Sequence, residues 1–287
     1  MEDKIIKAVA KNGTVRIIAI TSTDLLNTVK KIHNLNELTM IAFGKLMLSS
    51  AMISSTNKAL NDTITIKFDG NGPLKNMTAV TRGDGTLKGY ISNSDAFCES
   101  LKISDLIGSG SLVITKDLGL KNPYISKVPL YRSDVCNDLA YYYTLSEQTP
   151  TAISVDIDLE MNGRVKNSLG LMVQMLPGAE DMLADVIAYR FDDLGNALNR
   201  VQNGETIYDI LNFMFDDMGL KILDEYAIDY KCDCSIDRVE RALISLGKLE
   251  LRNIIDEGKD ESIICDYCKR EYKFNKGDLE NLYNKMY

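Results

Sequence analysis

The clearest chemistry in the sequence lies in two close-spaced cysteine pairs near its end, Cys232-Asp233-Cys234 and Cys265-Asp266-Tyr267-Cys268, with residues 235–264 between them. A spacing of two or three positions lets one turn present both sulfurs. Two such turns can converge on a single tetrahedral Zn²⁺ through four thiolates. Lys231, Arg238, Arg241, Lys269 and Arg270 lie nearby in sequence. They could offset the negative charge of a zinc tetrathiolate, and they would favour thiolate over thiol without metal. The spacing alone leaves three uses open: a permanent structural zinc ribbon, a redox-sensing zinc site and a disulfide oxidoreductase. The C-x-C pair departs from the C-x-x-C knuckle of ribbons, and no βαβ pattern surrounds Cys265–Cys268 as a thioredoxin-like enzyme would need.

Other reactive residue types are sparse. His33 is the one histidine, and it falls at the end of an expected helix with no cysteine, serine or carboxylate motif beside it. A capped or surface histidine is therefore expected, not a catalytic base. Cys98 and Cys136 stand apart from the pairs and read as small buried apolar residues. The glycine clusters Gly70-Asn71-Gly72, Gly83-Asp84-Gly85-Thr86-Leu87-Lys88-Gly89 and Gly108-Ser109-Gly110 complete neither a dinucleotide fingerprint nor a P-loop. Hairpin turns account for them.

The elements that must carry these residues follow from pattern. The 287 residues are 45% hydrophobic and 26% charged, a globular composition long enough for two domains. No apolar run approaches the roughly 20 residues of a membrane span, and Met1–Lys11 lacks the form of a signal peptide. A cytoplasmic protein is expected, and there six cysteines stay reduced.

Charge divides the chain three ways. Residues 1–177 are nearly balanced, 178–231 hold 12 acidic against 4 basic residues, and 232–287 are again nearly balanced. The overall charge of −8 argues against nucleic acid as a partner. In the first segment, Thr14–Ile20 reads as a strand, and Thr21–Asp24 offer caps for a helix through Leu35. A second helix, about Glu37–Leu60, is apolar on more than one face and so buried. Strands are expected at Thr63–Phe68, Met77–Arg82, Leu87–Ser92, Leu112–Lys116, Tyr124–Pro129, Ile153–Met161 and Ser168–Leu176, with a helix at Asp134–Glu147. This is an α+β pattern with a largely antiparallel sheet. After Pro177-Gly178, Ala179–Leu198 and Thr206–Phe215 carry Met182, Leu183, Val186, Ile187, Leu194, Ile207, Ile210, Leu211 and Met214 at helical spacing among acids. They read as a helical connector whose apolar stripe must lie against something. The last segment offers helices at Ser235–Leu246 and Lys248–Asp256, strands at Ser262–Ile264 and Tyr272–Phe274, and a closing helix from Gly277.

Cys232–Ser235, Arg238–Leu243, Ser245-Leu246-Gly247 and Cys265–Cys268 before Tyr272-Lys273-Phe274 resemble the redox domain of the heat shock protein 33 family, the 33 kDa chaperonins. Gly13–Arg16, Thr23-Asp24-Leu25, Gly72-Pro73-Leu74 and Leu176–Ala179 resemble its substrate-binding domain, so the resemblance spans essentially the whole chain. Lys75-Asn76 and Ser168-Leu169-Gly170 are mild departures that bear on local loop shape. The resemblance implies a substrate-binding domain over 1–177, a helical linker over 178–231 and a zinc-thiolate redox-switch domain over 232–287.

It further implies a non-enzymatic, ATP-independent holdase for unfolding proteins under oxidative stress. One Zn²⁺ per chain would sit on Cys232, Cys234, Cys265 and Cys268 in the reduced, inactive form. Oxidation would pair Cys232 with Cys234 and Cys265 with Cys268, the second pair first, releasing zinc and unfolding the C-terminal region. Dimerisation of the active form and delivery of clients to ATP-dependent chaperones are also implied, with no nucleic-acid or membrane partner. The alternative is a constitutive structural zinc-ribbon binding module.

Overall fold

In a computed structural model that describes residues 2–57, 59–180, 182–192 and 195–286, the chain opens with an antiparallel pair, β1 (Lys4–Ala10) and β2 (Val15–Thr21). Helices α1 (Asp24–His33) and α2 (Glu37–Ser54) follow. Next come β3 (Thr63–Gly70), β4 (Asn76–Arg82), β5 (Thr86–Ile91), α3 (Ile103–Ile107), β6 (Gly110–Asp117), β7 (Tyr124–Pro129) and α4 (Val135–Leu145). The hairpin β8 (Thr151–Leu159) and β9 (Val165–Met175) leads into α5 (Leu183–Asp192), α6 (Gly195–Gln202), α7 (Ile207–Phe215), β10 (Lys221–Ala227) and β11 (Asp229–Tyr230). The remainder is α8 (Ile236–Ser245), α9 (Lys248–Glu257), β12 (Glu261–Ile264), β13 (Glu271–Phe274) and α10 (Lys276–Asn284).

Two compact units result, Met1–Tyr230 and Lys231–Tyr287. Among the described residues, the first unit holds a five-stranded antiparallel sheet in the order β10-β1-β2-β9-β8 and a six-stranded sheet in the order β11-β5-β4-β3-β6-β7. The second sheet is antiparallel except where β11 joins β5 in parallel.

Helix α2 touches strands of both sheets. Phe43, Leu46, Met47, Leu48 and Met52 are all fully buried around it, as a helix with no polar face must be. It is long and apolar enough to cross a membrane, yet 78% of it is buried inside the protein. Its apolar surface is thus consumed by the core. Asn36 sets its start by accepting from the Thr39 backbone at 2.9 Å, a standard side-chain cap. It stops at Ser54, before the Leu60 expected from sequence.

The five-stranded sheet is buried on both faces. On one side Ile5, Ile18, Ile20 and Met172 join the core around α2. On the other, Ile6, Ala8, Val15, Ile17, Ala19, Leu169, Leu171 and Val173 meet Leu183, Ile187, Val201, Ile207, Ile210, Leu211, Met214 and Phe215 of α5, α6 and α7. The near-continuous apolar run of β2 follows from this, since a strand covered on both sides loses the polar half of its alternation. The expected connector is therefore the cover of a sheet face. Leu194, part of that expected stripe, lies outside the described residues.

Several expectations change. Residues 178–231 are helical only through Met218, the last turn being a 3-10 helix over Asp216–Met218, and then turn into β10, paired with β1 from Lys4↔Ala227 to Val9↔Lys221, and β11. The whole segment up to Tyr230 belongs to the first compact unit. The acids there are partly matched: Arg190 pairs with Asp217 at 2.6 Å and Arg200 with Glu205 at 2.8 Å. Helix α1 is capped from a distance. Asp3 accepts from the Thr23 backbone at 2.7 Å, while the Thr23 side chain makes no cap. His33 is buried, with Nε2 3.2 Å from the Tyr230 hydroxyl and the ring edge-on to Phe43. Most of the clustered glycines sit in turns and at strand ends, but Gly89 lies inside β5, where a Cβ would meet Thr78 O, Met47 and Phe43. Gly85, at φ +87°, closes the β4–β5 hairpin, where a side chain would be strained.

Phe215 is fully buried in the sheet's helical cover. Phe215→Ala is expected to destabilise the first unit by about 3–5 kcal/mol, read as a lower urea midpoint by far-UV circular dichroism. An unchanged midpoint would show that the cover contributes little to the stability of that unit.

Candidate metal centre

The second unit builds its site from two local turns. Cys232 and Cys234 precede α8, which Ser235 caps by accepting from the Arg238 backbone at 3.3 Å. Cys265 and Cys268 occupy the turn joining β12 to β13, whose register runs Glu261↔Phe274 to Ile264↔Glu271. Within that turn the Cys265 N–H donates to Arg270 O and the Lys269 N–H to Cys265 O, each at 2.9 Å. Lys269 takes a positive φ of 59°. Behind the turns lies a small core of Leu243, Leu251, Ile255, Tyr272, Phe274, Leu279 and Leu282, with Cys234 and Cys265 packed against it.

The four sulfurs lie within 4.8 Å of one another. Cys232 Sγ is 3.7 Å from Cys265 Sγ, and Cys234 Sγ is 3.3 Å from Cys268 Sγ. A tetrahedron with Zn–S near 2.3 Å needs S···S of about 3.8 Å, so the donor set and its spacing fit that ion. All four are free thiols, and these two contacts join one turn to the other, as binding of one ion by both turns requires.

The thiols are electrostatically unequal. Burial pushes Cys232 up to about 12, aided by its thiol neighbours. Burial also raises Cys268, reinforced by the Cys234 thiol. Burial opposes the Cys234 thiolate too, but the Tyr272 hydroxyl and then the Cys268, Cys232 and Cys265 thiols outweigh it and bring Cys234 down to about 7. The Tyr272 hydroxyl donates to Cys234 Sγ at 3.1 Å. Sequence reasoning named Tyr272 only as part of a strand. The signal that could have found it is strand alternation, which turns Tyr272 and Phe274 inward together.

The cations expected nearby divide in role. Arg238 binds Asp233 at 2.6 Å, and Arg270 hydrogen-bonds Tyr272 and feels the charge of Cys234 and Cys268. The two remaining cysteines stand apart from the cluster. Cys136 is buried, and desolvation pushes it up to about 12, which makes it inert. Cys98 is partly exposed rather than buried, with its thiol donating to Lys102 O at 3.4 Å.

A family model described as Hsp33 protein matches residues 3–275. The chain belongs to the Hsp33 family. Among its relatives, the 33 kDa chaperonin of Clostridium novyi (strain NT) is 42% identical over 98% of both chains. That of Clostridium botulinum (strain Okra / Type B1) is 42% identical over 99% of this chain and 100% of the relative. The solved structure of the Thermotoga maritima Hsp33 homologue superposes with a TM-score of 0.88 at 27% identity, covering 99% of this chain and 98% of that one. Membership in the Hsp33 family makes the chain a chaperone, and its α+β fold with antiparallel sheets matches the solved Hsp33 structure.

Zinc uptake converts thiols to thiolates, so Cys232 and Cys268, held protonated in the metal-free site, each give up a proton on binding. Affinity is expected to fall as pH is lowered, and the binding enthalpy to vary with the ionisation heat of the buffer. Titration calorimetry in two buffers at one pH checks this; equal enthalpies in both would rule out proton release.

Proposed function

We propose that this chain is a redox-switched, ATP-independent holdase. Reduced and zinc-bound it is inactive; oxidised, it holds unfolding proteins. The observation that carries the reading is the convergence of four free thiols from two turns within 4.8 Å, beside a core of seven buried side chains among the described residues. Cys232, Cys234, Cys265 and Cys268 would hold one Zn²⁺ per chain. When bound, the ion supplies a cross-link between the two turns, worth roughly 10–16 kcal/mol in small zinc modules. A unit of this size is marginal on its core alone.

Oxidation of each pair within itself, Cys232 with Cys234 and Cys265 with Cys268, closes very short loops, which stabilise least. Such disulfides leave the two turns untied, so residues 232–287 unfold. Residues 178–231 then serve as the linker that gives way. The apolar face of the five-stranded sheet that α5–α7 cover becomes client-binding surface within 1–177. Burial of apolar surface is non-directional and suits many clients. Free thiols fit a reducing cytoplasm. The same reading includes a homodimer as the active form, transfer of clients to ATP-dependent chaperones, and neither nucleic acid nor membrane as partner.

One preparation, reduced with zinc and then treated with hypochlorous acid or with peroxide under mild heat, tests the reading. About one zinc per chain is expected to leave as suppression of aggregation of an unrelated unfolding protein appears. The double substitution Cys265→Ser with Cys268→Ser is expected to abolish reversible switching. Zinc retained, or lost with no holdase activity, would instead favour a constitutive zinc ribbon, which oxidation merely inactivates.

A further inference from the structure

The thiol cluster is asymmetric in what surrounds each sulfur. Cys232 Sγ accepts from the Cys234 backbone N–H and Cys268 Sγ from the Arg270 backbone N–H. Cys265 Sγ faces fellow thiols, with Cys232 at 3.7 Å. Cys234 alone among the four has a side-chain hydroxyl on it, that of Tyr272 at 3.1 Å, among the described residues. The donor is held in place. Tyr272 is 8% exposed, stands opposite Ile263 in the β12–β13 register and packs in the core with Phe274 and Leu279. Its oxygen also engages the Arg270 guanidinium, which polarises the hydroxyl toward the sulfur.

We propose that Tyr272, through its hydroxyl on Cys234 Sγ, is the positioning residue that shields Cys234 from electrophilic oxidants and makes it the last of the four sulfurs to be attacked. This rests on the zinc-tetrathiolate reading. A hydrogen bond to an anionic sulfur lowers the lone pair that attack requires, and groups outside the ligand set tune metal-bound ligands in this way. The affected step is explicit. A thiolate attacks a hydroperoxide, an S–O bond forms as the O–O bond breaks, sulfur gives up two electrons and hydroxide or alkoxide leaves. A second thiolate then attacks the sulfenic sulfur, forming S–S and releasing hydroxide. Sulfurs with no such hydroxyl, Cys265 among them, enter this sequence before Cys234 does.

The test uses the full-length zinc-loaded protein, with zinc content measured throughout. Rates of modification at each cysteine are read by peptide mass mapping after limiting hydrogen peroxide, and separately after iodoacetamide, whose carbon takes the sulfur as iodide leaves. In the unsubstituted protein, Cys234 is expected to react slowest of the four. Tyr272→Phe keeps the buried ring and is expected to raise the rate at Cys234 relative to Cys265 about tenfold. In the cobalt-substituted protein, the same variant should move the sulfur-to-metal charge-transfer band to longer wavelength. Arg270→Gln, at a solvent-facing position, should shift the Cys234 rate in the same direction by less, and it decides the matter if the Phe variant does not hold zinc. An unchanged Cys234 rate with zinc still bound, or Cys234 reacting as fast as Cys265 in the unsubstituted protein, overturns the role of Tyr272 alone. A chain that binds no zinc at all overturns the metal reading as well.

Discussion

A sheet made apolar on both faces needs two covers, and most of the first unit is arranged around that requirement. The inner face of the five-stranded sheet is met by α2, which has no polar side to spare and so must itself be enclosed by the six-stranded sheet and α4. The outer face is met by α5–α7. These two covers differ in kind. The inner one is a single long helix with fully buried side chains. The outer one is three short helices in an acidic segment, with Val186, Tyr189 and Phe213 still exposed on them. Short helices draw their stability from packing rather than from their own propensity, so the outer cover is the part of this fold most readily lost.

The second unit meets the opposite constraint. Its seven buried side chains among the described residues are a small core for two cysteine turns, three helices and a two-stranded sheet. Its sulfurs are therefore placed where one ion can do what a larger core would do elsewhere. The chain joining the units is short in sequence. Ile228 and Tyr230 pack in or against the large core, Tyr230 also donating to Gly89 O at 3.0 Å, and Cys232 follows after Lys231. The packed end of the first unit and the first candidate metal ligand of the second are thus separated by a single residue of chain.

The candidate site was legible because its signal is local and chemically strict: few uses require paired cysteines at these spacings. Most strands and helices were legible for the same reason of local pattern, with Tyr124–Pro129 matched to the residue and α2 distinguished by its lack of a polar face. What escaped depends on distant partners. β1 was hidden because Lys4 and Lys7 interrupt its apolar pattern, and only pairing with β2 and β10 makes it a strand. β10 follows three helices, and its acids Asp224 and Glu225 continue the character of the connector. The α1 cap comes from Asp3, twenty positions before Thr23. His33 is buried because Tyr230 arrives from the far end of the unit. Tyr272 gave only an alternation signal, and which sulfur it reaches is set by tertiary packing.

The pairing of β1 with β10 joins the start of the unit to its end, Lys4 against Ala227. During synthesis at about 5–20 residues per second, the first strand made must wait on the order of ten to forty seconds for that neighbour. Through that interval its outer edge has no strand beside it, and the face of Ile6, Ala8 and Ile17 has no helices over it. Open strand edges and bare apolar faces are what drive nascent chains to associate. On the ribosome, this chaperone passes through the condition of a client before it can attend to one.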